Sequence, residues 1–477
     1  MALTIFVIYF GGLLIAGPLA ARLMKKKDSS DYILAGRQVP TWLVTGGVVA
    51  TLINSATLLG YGGSGYSLGI TAYFSAMGFI AILIWVGYYF IPKLRRAGIV
   101  TVPELFSRMF GWQHKVTAVL LVMARDMGVT AGAAIGMAVV LGSVFDISID
   151  LALVITVFIT LFFTVTGGMW AVMITDTIQS VILLIGTTVM IPLAIAYVGG
   201  WDTLINAIPE THSDMWFAGG PQILGWVLLG ALTTIAYQTL IQRGLSAESD
   251  KAAKNGFLYA GIITIIWYMV PFFIGTVAFV IFPDITPDEA FLSLTRLFGT
   301  LGSLLFAVII VSSCISTLSS TVLTTASNIS NDIYKQWIHR NASEKSVVLV
   351  SRVSVVVVAV VGALVARSLP YILELLLTGG RIMASSLSPV LLAIVFWKRA
   401  RRAFYSTILA MVLGALTTIT LVIIGEQLGS DDGAVVFVWT VDPVLVGIPV
   451  TVLTLVIGTF IETRGWKDPK KTAVTES

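Results

Sequence analysis

Residues 312–330 read SSCISTLSSTVLTTASNIS, in which eleven of nineteen positions are Ser or Thr. Ser313, Ser316, Thr317 and Ser320 recur at i, i+3, i+4 and i+7, so a helix places them on one face. Hydroxyls and freed carbonyls are uncharged oxygen donors, the ligand type that hard cations select. The plainer use of such hydroxyls is bonding back to the preceding turn or packing small between helices. Asp176 stands eight residues beyond Gly168, which at a helical rise puts it roughly 12 Å into its helix. An ionisable group at that depth in apolar sequence is costly and, as a rule, functional. Two arginines share the situation. Arg125 is ten residues beyond Lys115, roughly 15 Å in, and Arg381 is sixteen residues before Trp397, roughly 24 Å from that end. A guanidinium fork matches a carboxylate bidentately, so either could take an acidic solute. Internal pairing is the competing role: Asp176 with Arg125, Arg125 with Asp126, and Arg381 with Glu374 or a helix terminus.

These groups need apolar helices to carry them, and the chain has little else. Of 477 residues 57% are hydrophobic and 11% charged, with a mean hydropathy of +0.94, too apolar for an ordinary soluble protein. About thirteen windows are long enough to cross a hydrocarbon layer, near 4–23, 41–67, 71–91, 115–144, 150–166, 170–198, 223–241, 256–282, 300–330, 346–366, 371–396, 404–425 and 438–461. The first lacks a basic leading region, with Lys25, Lys26 and Lys27 after it, which is not a signal-peptide layout. With an odd number of spans and the N-terminus outside, Arg296 and Arg367 fall outside and Arg125 and Arg381 within spans. The other 25 of 29 Lys and Arg, including Lys470 and Lys471, then lie on the inner side. This predicts a multi-pass protein of the cell membrane with an external N-terminus and a cytoplasmic C-terminus. The pI near 9.0 follows from that asymmetry and argues against nucleic-acid binding.

Windows 41–67 and 223–241 both lose regular helical character midway. TLINSATLLGYGGSG mixes Asn54, Ser55 and Thr57 with glycines, and LGALTTIAYQTLIQRG carries Thr233, Thr234, Tyr237 and Gln238. Interrupted polar helices at corresponding places in two halves point to an inverted repeat with a binding site near the membrane midplane. Close packing of small residues is the alternative explanation of the glycines.

Six stretches in order along residues 60–400 resemble the sodium:solute symporter family, whose members carry proline, sugars, sialic acid or pantothenate. They are GYGGSGYSLG (60–69), TVPELFSRMFG (101–111), GGMWAVMITDTIQS (167–180), the Gln242–Arg243 pair, the hydroxyl run ending in SNDIY (330–334) and FWKR (396–399). The resemblance implies an all-α integral membrane protein of LeuT-type fold: two inverted five-helix repeats (37–199 and 200–397), one helix before them (1–36), and two helices with a tail after them (398–477). It also implies symport of a small organic solute driven by one or two sodium ions, with no organic cofactor.

Carried over from the family, the first sodium site takes the carbonyls of Ala50, Ile53 and Ser313 and the hydroxyls of Ser316 and Thr317. A second, as in sialic acid transporters, takes Asp176, Ser316, Ser319 and Ser320. The solute is expected between the broken helices, among Asn54, Ser55, Thr57, Tyr61, Tyr73, Tyr237, Gln238 and Thr378. Arg125 or Arg381 would receive a carboxylate-bearing solute. In sialic acid transporters the carboxylate-binding arginine aligns to Val129, one turn from Arg125. Sugar transporters carry an acid and an amide where Ala56 and Thr57 stand, and proline transporters an aspartate where Leu52 stands, so neither solute is matched closely.

No catalytic residue is expected, because His114, His212 and His339 are scattered and no HExxH, P-loop or GxSxG occurs. The single cysteine, Cys314, excludes an internal disulfide. Proton coupling on the same fold, or a sensor built on it, are the rival functions. The expected partners are the solute and the lipid bilayer, with no nucleic acid; a monomer suffices for transport and the oligomeric state stays open.

Overall fold

The computed structural model describes residues 1–26, 28–368, 372–427, 435–436 and 440–464. Apart from a two-residue ladder pairing Val435–Val436 with Thr440–Val441, the described residues form helices, turns and loops. In chain order the long helices are α1 (Ala2–Ala21), α2 (Thr41–Leu52), α3 (Ser55–Leu68), α4 (Phe74–Trp85), α5 (Trp112–Phe145) and α6 (Ile149–Val198). There follow α7 (Gly220–Ala236), α8 (Gln238–Ser246), α9 (Asp250–Trp267), α10 (Met269–Ile281) and α11 (Gly299–Ser327). The last are α12 (Glu344–Ser368), α13 (Ile372–Ser385), α14 (Leu387–Phe396), α15 (Phe404–Gln427) and α16 (Val444–Glu462).

By length and apolarity, ten described helices can cross a membrane, or eleven when α7 and α8, bent by 47°, count as one span. The count of thirteen depends on dividing kinked helices: α6 at Gly168, which adopts φ 51° and ψ −140°, and α2–α3 from α4. Glycine is required at that kink, since a Cβ on Gly168 would stand 2.6 Å from the Tyr32 carbonyl oxygen.

Both expected interruptions are present. Ile53 (φ −93°, ψ 81°) ends α2, and Asn54 (φ −114°, ψ 178°) starts α3 by accepting the Thr57 N–H on its side chain. Tyr237, extended at ψ 92°, separates α7 from α8. These breaks lie inside the bundle, because α11, α5, α6 and α10 pack around them. In the most apolar stretch of Gly299–Ile338, 78% of residues are buried, against 17% in Ala2–Ala21 and 28% in Val444–Glu462, so α11 is the central helix and α1 and α16 are peripheral. Its Ser/Thr run is buried throughout, whereas Phe158, Ile185, Val357 and Leu416 face outward, as lipid-exposed surfaces require.

Small residues set the closest approaches. The α3 and α10 backbones meet where a Cβ on Gly275 would lie 1.9 Å from the Gly62 carbonyl oxygen and 2.7 Å from the Tyr66 nitrogen. Backbone atoms cannot rotate away, so Gly275→Ala is expected to destabilise the protein by about 1–3 kcal/mol. Gly11→Ala, with nothing within 4 Å, leaves stability unchanged. Thermal unfolding of the two detergent-solubilised variants checks the contrast.

Candidate functional site

Breaking α2 leaves its last carbonyls without helical donors. Val49 O is satisfied by the Ile53 N–H at 2.8 Å, and Thr51 O by Asn54 Nδ2 at 3.1 Å. Leu52 O accepts two hydroxyls, Thr57 Oγ1 at 2.7 Å and the Tyr268 OH at 2.8 Å. Among the described residues no donor reaches the carbonyls of Ala50 and Ile53, both in buried residues. Helix α11 packs against both halves of this break. On it, Ser316 Oγ and Thr317 Oγ1 donate to Ser313 O at 3.0 and 2.8 Å. A hydroxyl that donates backwards keeps its lone pairs, so both side chains can still ligate a cation. Ser313 O is the crowded member of the set, since it already accepts both hydroxyls.

Asp176 is fully buried and meets Arg243, not Arg125. Arg243 Nη2 binds Asp176 Oδ2 and reaches Ser320 Oγ at 2.5 Å, and Ser320 Oγ donates to the same carboxylate oxygen at 3.1 Å. Arg243 Nε and Nη1 take the carbonyls of Gly47 at 2.7 Å and Thr239 at 3.1 Å. Among the described residues Asp176 Oδ1 has no partner. Ser319 Oγ donates to Ser316 O at 3.2 Å. The charge count assigned Arg243 to the inner loops, yet it is 1% exposed inside the bundle. The Gln242–Arg243 motif marked the position without revealing this role; the usable signal was an arginine between two apolar segments.

Between the two breaks lies a cavity of about 190 Å³, lined by Asn54, Thr57, Tyr61, Arg125, Tyr237 and Arg381 among the expected residues. That is below the roughly 300–1,000 Å³ typical of drug-sized ligand sites, so it suits a small solute. Arg125 lies over the Tyr237 ring at 3.7 Å and pairs with Asp126 at 2.8 Å. Arg381 pairs with Asp442 at 3.2 Å, a partner that sequence reasoning did not name beside Glu374 or a helix terminus; the Glu374 side chain is outside the described residues. The cavity wall also includes Tyr268, Trp226 and Thr233. Tyr61 is held by stacking on Phe272, ring centroids 4.8 Å apart.

Three expected residues are elsewhere. Tyr73 donates its hydroxyl to Ile265 O at 2.9 Å and turns its edge to Phe272. Gln238 accepts the Val102 N–H at 2.6 Å, capping the short helix Val102–Phe110 instead of facing the cavity. Thr378 is half-buried but outside the lining. The side chain of Ser55 falls outside the described residues, as do Lys27, Lys470 and Lys471.

Removing one member of the Asp176–Arg243 pair strands the other. Arg243→Met is expected to cost about 3–5 kcal/mol of stability, and adding Asp176→Asn to recover most of it. Thermal unfolding of the single and double variants tests this.

The chain is 26% identical over 446 residues to a sodium/glucose cotransporter of Vibrio parahaemolyticus, covering 83% of this chain and 80% of the relative. It is 28% identical over 456 residues to a sodium/proline symporter of Haemophilus influenzae, covering 87% of each. A solved Na+-coupled sialic acid symporter, substrate-bound and outward-open, superposes with a TM-score of 0.80 at 20% identity, covering 96% of this chain and 98% of that one, and the fold is LeuT-type. A family model matches residues 32–414, and the chain therefore belongs to the sodium:solute symporter family, whose work is sodium-coupled movement of a solute across a membrane.

Proposed function

We propose that this symporter imports a small, carboxylate-bearing organic solute by alternating access, with sodium held at the break in the first core helix. The observation that carries the reading is the pair of carbonyls, Ala50 and Ile53, that no donor reaches among the described residues, in the break that α11 packs against. Sodium would replace the missing donors there, completed by Ser316 Oγ, Thr317 Oγ1 and a Ser313 carbonyl that gives up a hydroxyl. The cost of an unsatisfied carbonyl in a dry interior favours filling the site. Asp176 Oδ1 is the atom left for a second ion, with Ser316, Ser319 and Ser320 as neighbours and Arg243 as the competing charge.

The solute occupies the cavity between the breaks, with Arg125 or Arg381 on its carboxylate. Residues 37–199 and 200–397 form the two inverted repeats, flanked by 1–36 and 398–477. The N-terminus is external and the C-terminus cytoplasmic in the cell membrane. A monomer suffices; the partners are solute and lipid, and the ions act without an organic cofactor or a catalytic step. The similarity to glucose, proline and sialic acid symporters supports sodium as the coupling ion without selecting the solute.

Stoichiometry decides the accumulation. Moving one charge across 100 mV is worth about 2.3 kcal/mol, and a tenfold ion gradient adds about 1.4. One sodium therefore sustains roughly 500-fold accumulation of a neutral solute, and two square that figure.

Uptake into proteoliposomes under an imposed sodium gradient, compared with a proton gradient, tests the reading, and sodium-independent transport would overturn it. Thr317→Ala is expected to raise the half-saturating sodium concentration about tenfold or more, as loss of a ligating oxygen at a charge does. For two ions, Asp176→Asn is expected to lower the sodium Hill coefficient from near two to near one. An unchanged coefficient above one would leave Asp176 a structural partner of Arg243.

A further inference from the structure

A cleft of about 620 Å³ opens between α6, α9 and α10, with Leu184, Thr188, Ile266, Trp267, Val270 and Trp201 among its walls. Among the described residues its lining carries one hydroxyl, that of Thr188, and no charge. Beside these residues in the chain Ile185, Val189, Ile262 and Met269 are exposed, so the cleft is continuous with the apolar surface that a bilayer covers. Leu184 lies fourteen residues before the end of α6 at Val198, roughly 21 Å at a helical rise. Trp201, just beyond that end, is held by stacking on Phe273, ring centroids 6.1 Å apart. Indoles collect at the membrane boundary, so the cleft starts there and is deep enough for the chain of one leaflet, half of a roughly 30 Å hydrocarbon core.

The walls suit a hydrocarbon chain better than a second helix. Membrane helices associate through small residues that let backbones approach, and the glycines here are used inside the bundle. A Cβ on Gly186 would collide with Ile309, and one on Gly261 would stand 2.8 Å from Ile84. Bulky side chains are left facing the cleft, and an unfilled furrow between them forfeits dispersion contacts that a flexible chain supplies. The polar end adds a charge preference. Residues 199–219 hold Asp202, Glu210 and Asp214 and neither Lys nor Arg, and Asp202 is exposed next to Trp201. An anionic headgroup is repelled there and an ammonium attracted.

The floor of the cleft adjoins the broken helix. Trp267 is 3% exposed and donates Nε1 to Thr187 Oγ1 at 2.9 Å. Pro271 has no N–H to offer the Trp267 carbonyl, which loosens the α9–α10 junction at Tyr268. Trp267 and Met269 face the cleft, while Tyr268 between them bonds Leu52 O at 2.8 Å.

We propose that this cleft seats an acyl chain of an ammonium-bearing, net-neutral phospholipid, and that the seated chain supports the α9–α10 junction so that Tyr268 holds the α2 break ready for sodium. The seat stands on the cleft alone; the coupling rests on the sodium reading above.

The test gives the full-length protein in detergent a phosphatidylethanolamine with a diazirine in one acyl chain, illuminates it and maps the labelled peptides. Labelling is expected to saturate, to concentrate on residues 184–201 and 263–273, and to be lost in Thr188→Trp, where an indole fills the cleft from an exposed position. Ile266→Trp, likewise exposed, is the second filling variant. Labelling spread evenly over lipid-facing helices such as α1 and α16, labelling that does not saturate, or labelling unchanged in both filled variants would overturn the seat. Equal labelling by a phosphatidylglycerol probe would overturn the headgroup preference. In the wild type, added phosphatidylethanolamine is expected to lower the half-saturating sodium for thermal stabilisation about fivefold, with no such response in T188W. An unmoved half-saturation in labelled wild-type protein would overturn the coupling. Absence of sodium stabilisation with or without lipid would overturn the sodium reading and the coupling with it, the seat being decided by the labelling.

Discussion

A polar backbone group inside hydrocarbon has no water to fall back on, and this structure depends on how that constraint is met where helices are broken. The break at Ile53–Asn54 exposes a run of carbonyls, and the neighbouring side chains answer them selectively. Asn54, Thr57 and Tyr268 satisfy Thr51 O and Leu52 O, while among the described residues no donor reaches Ala50 O and Ile53 O. Tyr268 reaches in from the junction of α9 and α10, so the break is braced by a helix distant in sequence. Selective satisfaction is what a binding position would need and a merely irregular helix would not, and the hydroxyl-rich α11 packs against both halves of the break.

The same logic governs charge. Three buried ion pairs, Asp176–Arg243, Arg125–Asp126 and Arg381–Asp442, set ionised groups against one another in the interior. A buried pair contributes little net stability, but a broken one is severely unfavourable, so Asp176–Arg243 and Arg381–Asp442 fix the relative position of the segments they join, while Arg125–Asp126 lies within α5. Asp176–Arg243 ties α6 to α8 and, through Ser320, to α11. Arg381–Asp442 ties α13 to the start of α16. These are constraints on geometry more than sources of stability.

Composition and period were enough to read helices, membrane class and the two interruptions, because long apolar windows and polar breaks are local properties of the chain. The hydroxyl face of α11 was legible for the same reason: Ser313, Ser316, Thr317 and Ser320 share a face whatever packs on it. Ion-pair partners were not legible, because pairing is decided by which helices meet. Asp176 stands 67 residues from Arg243, and Arg381 stands 61 from Asp442. The Asp-Pro step at 442–443 was a visible helix-start signal, but the apolar window 438–461 absorbed it. Gln238 and Tyr73 were misplaced by a related failure. Gln238 beside a break and Tyr73 just before α4 can each point into the cavity or away from it, and Val102 N and Ile265 O claimed these two.

With the proposed sites, coupling between ion and solute would follow from their sharing one short segment. Asn54 and Thr57 line the solute cavity and also hold Thr51 O and Leu52 O. The carbonyls proposed for sodium, Ala50 and Ile53, flank those same residues in the chain. An ion bound there would order the Ile53–Asn54 turn, and the ordering would present Asn54 and Thr57 to a solute in a fixed geometry. The free energy of fixing that turn is then contributed once, by whichever ligand binds first, and the second binds to a site already arranged. Linkage makes the effect reciprocal: sodium strengthens solute binding by the factor with which solute strengthens sodium binding. Tyr268 extends the effect to α9 and α10, since its hydroxyl bonds Leu52 O while its ring lies 5.6 Å from that of Tyr61 in the cavity wall. A side chain that touches both the break and the wall cannot follow one without reporting on the other.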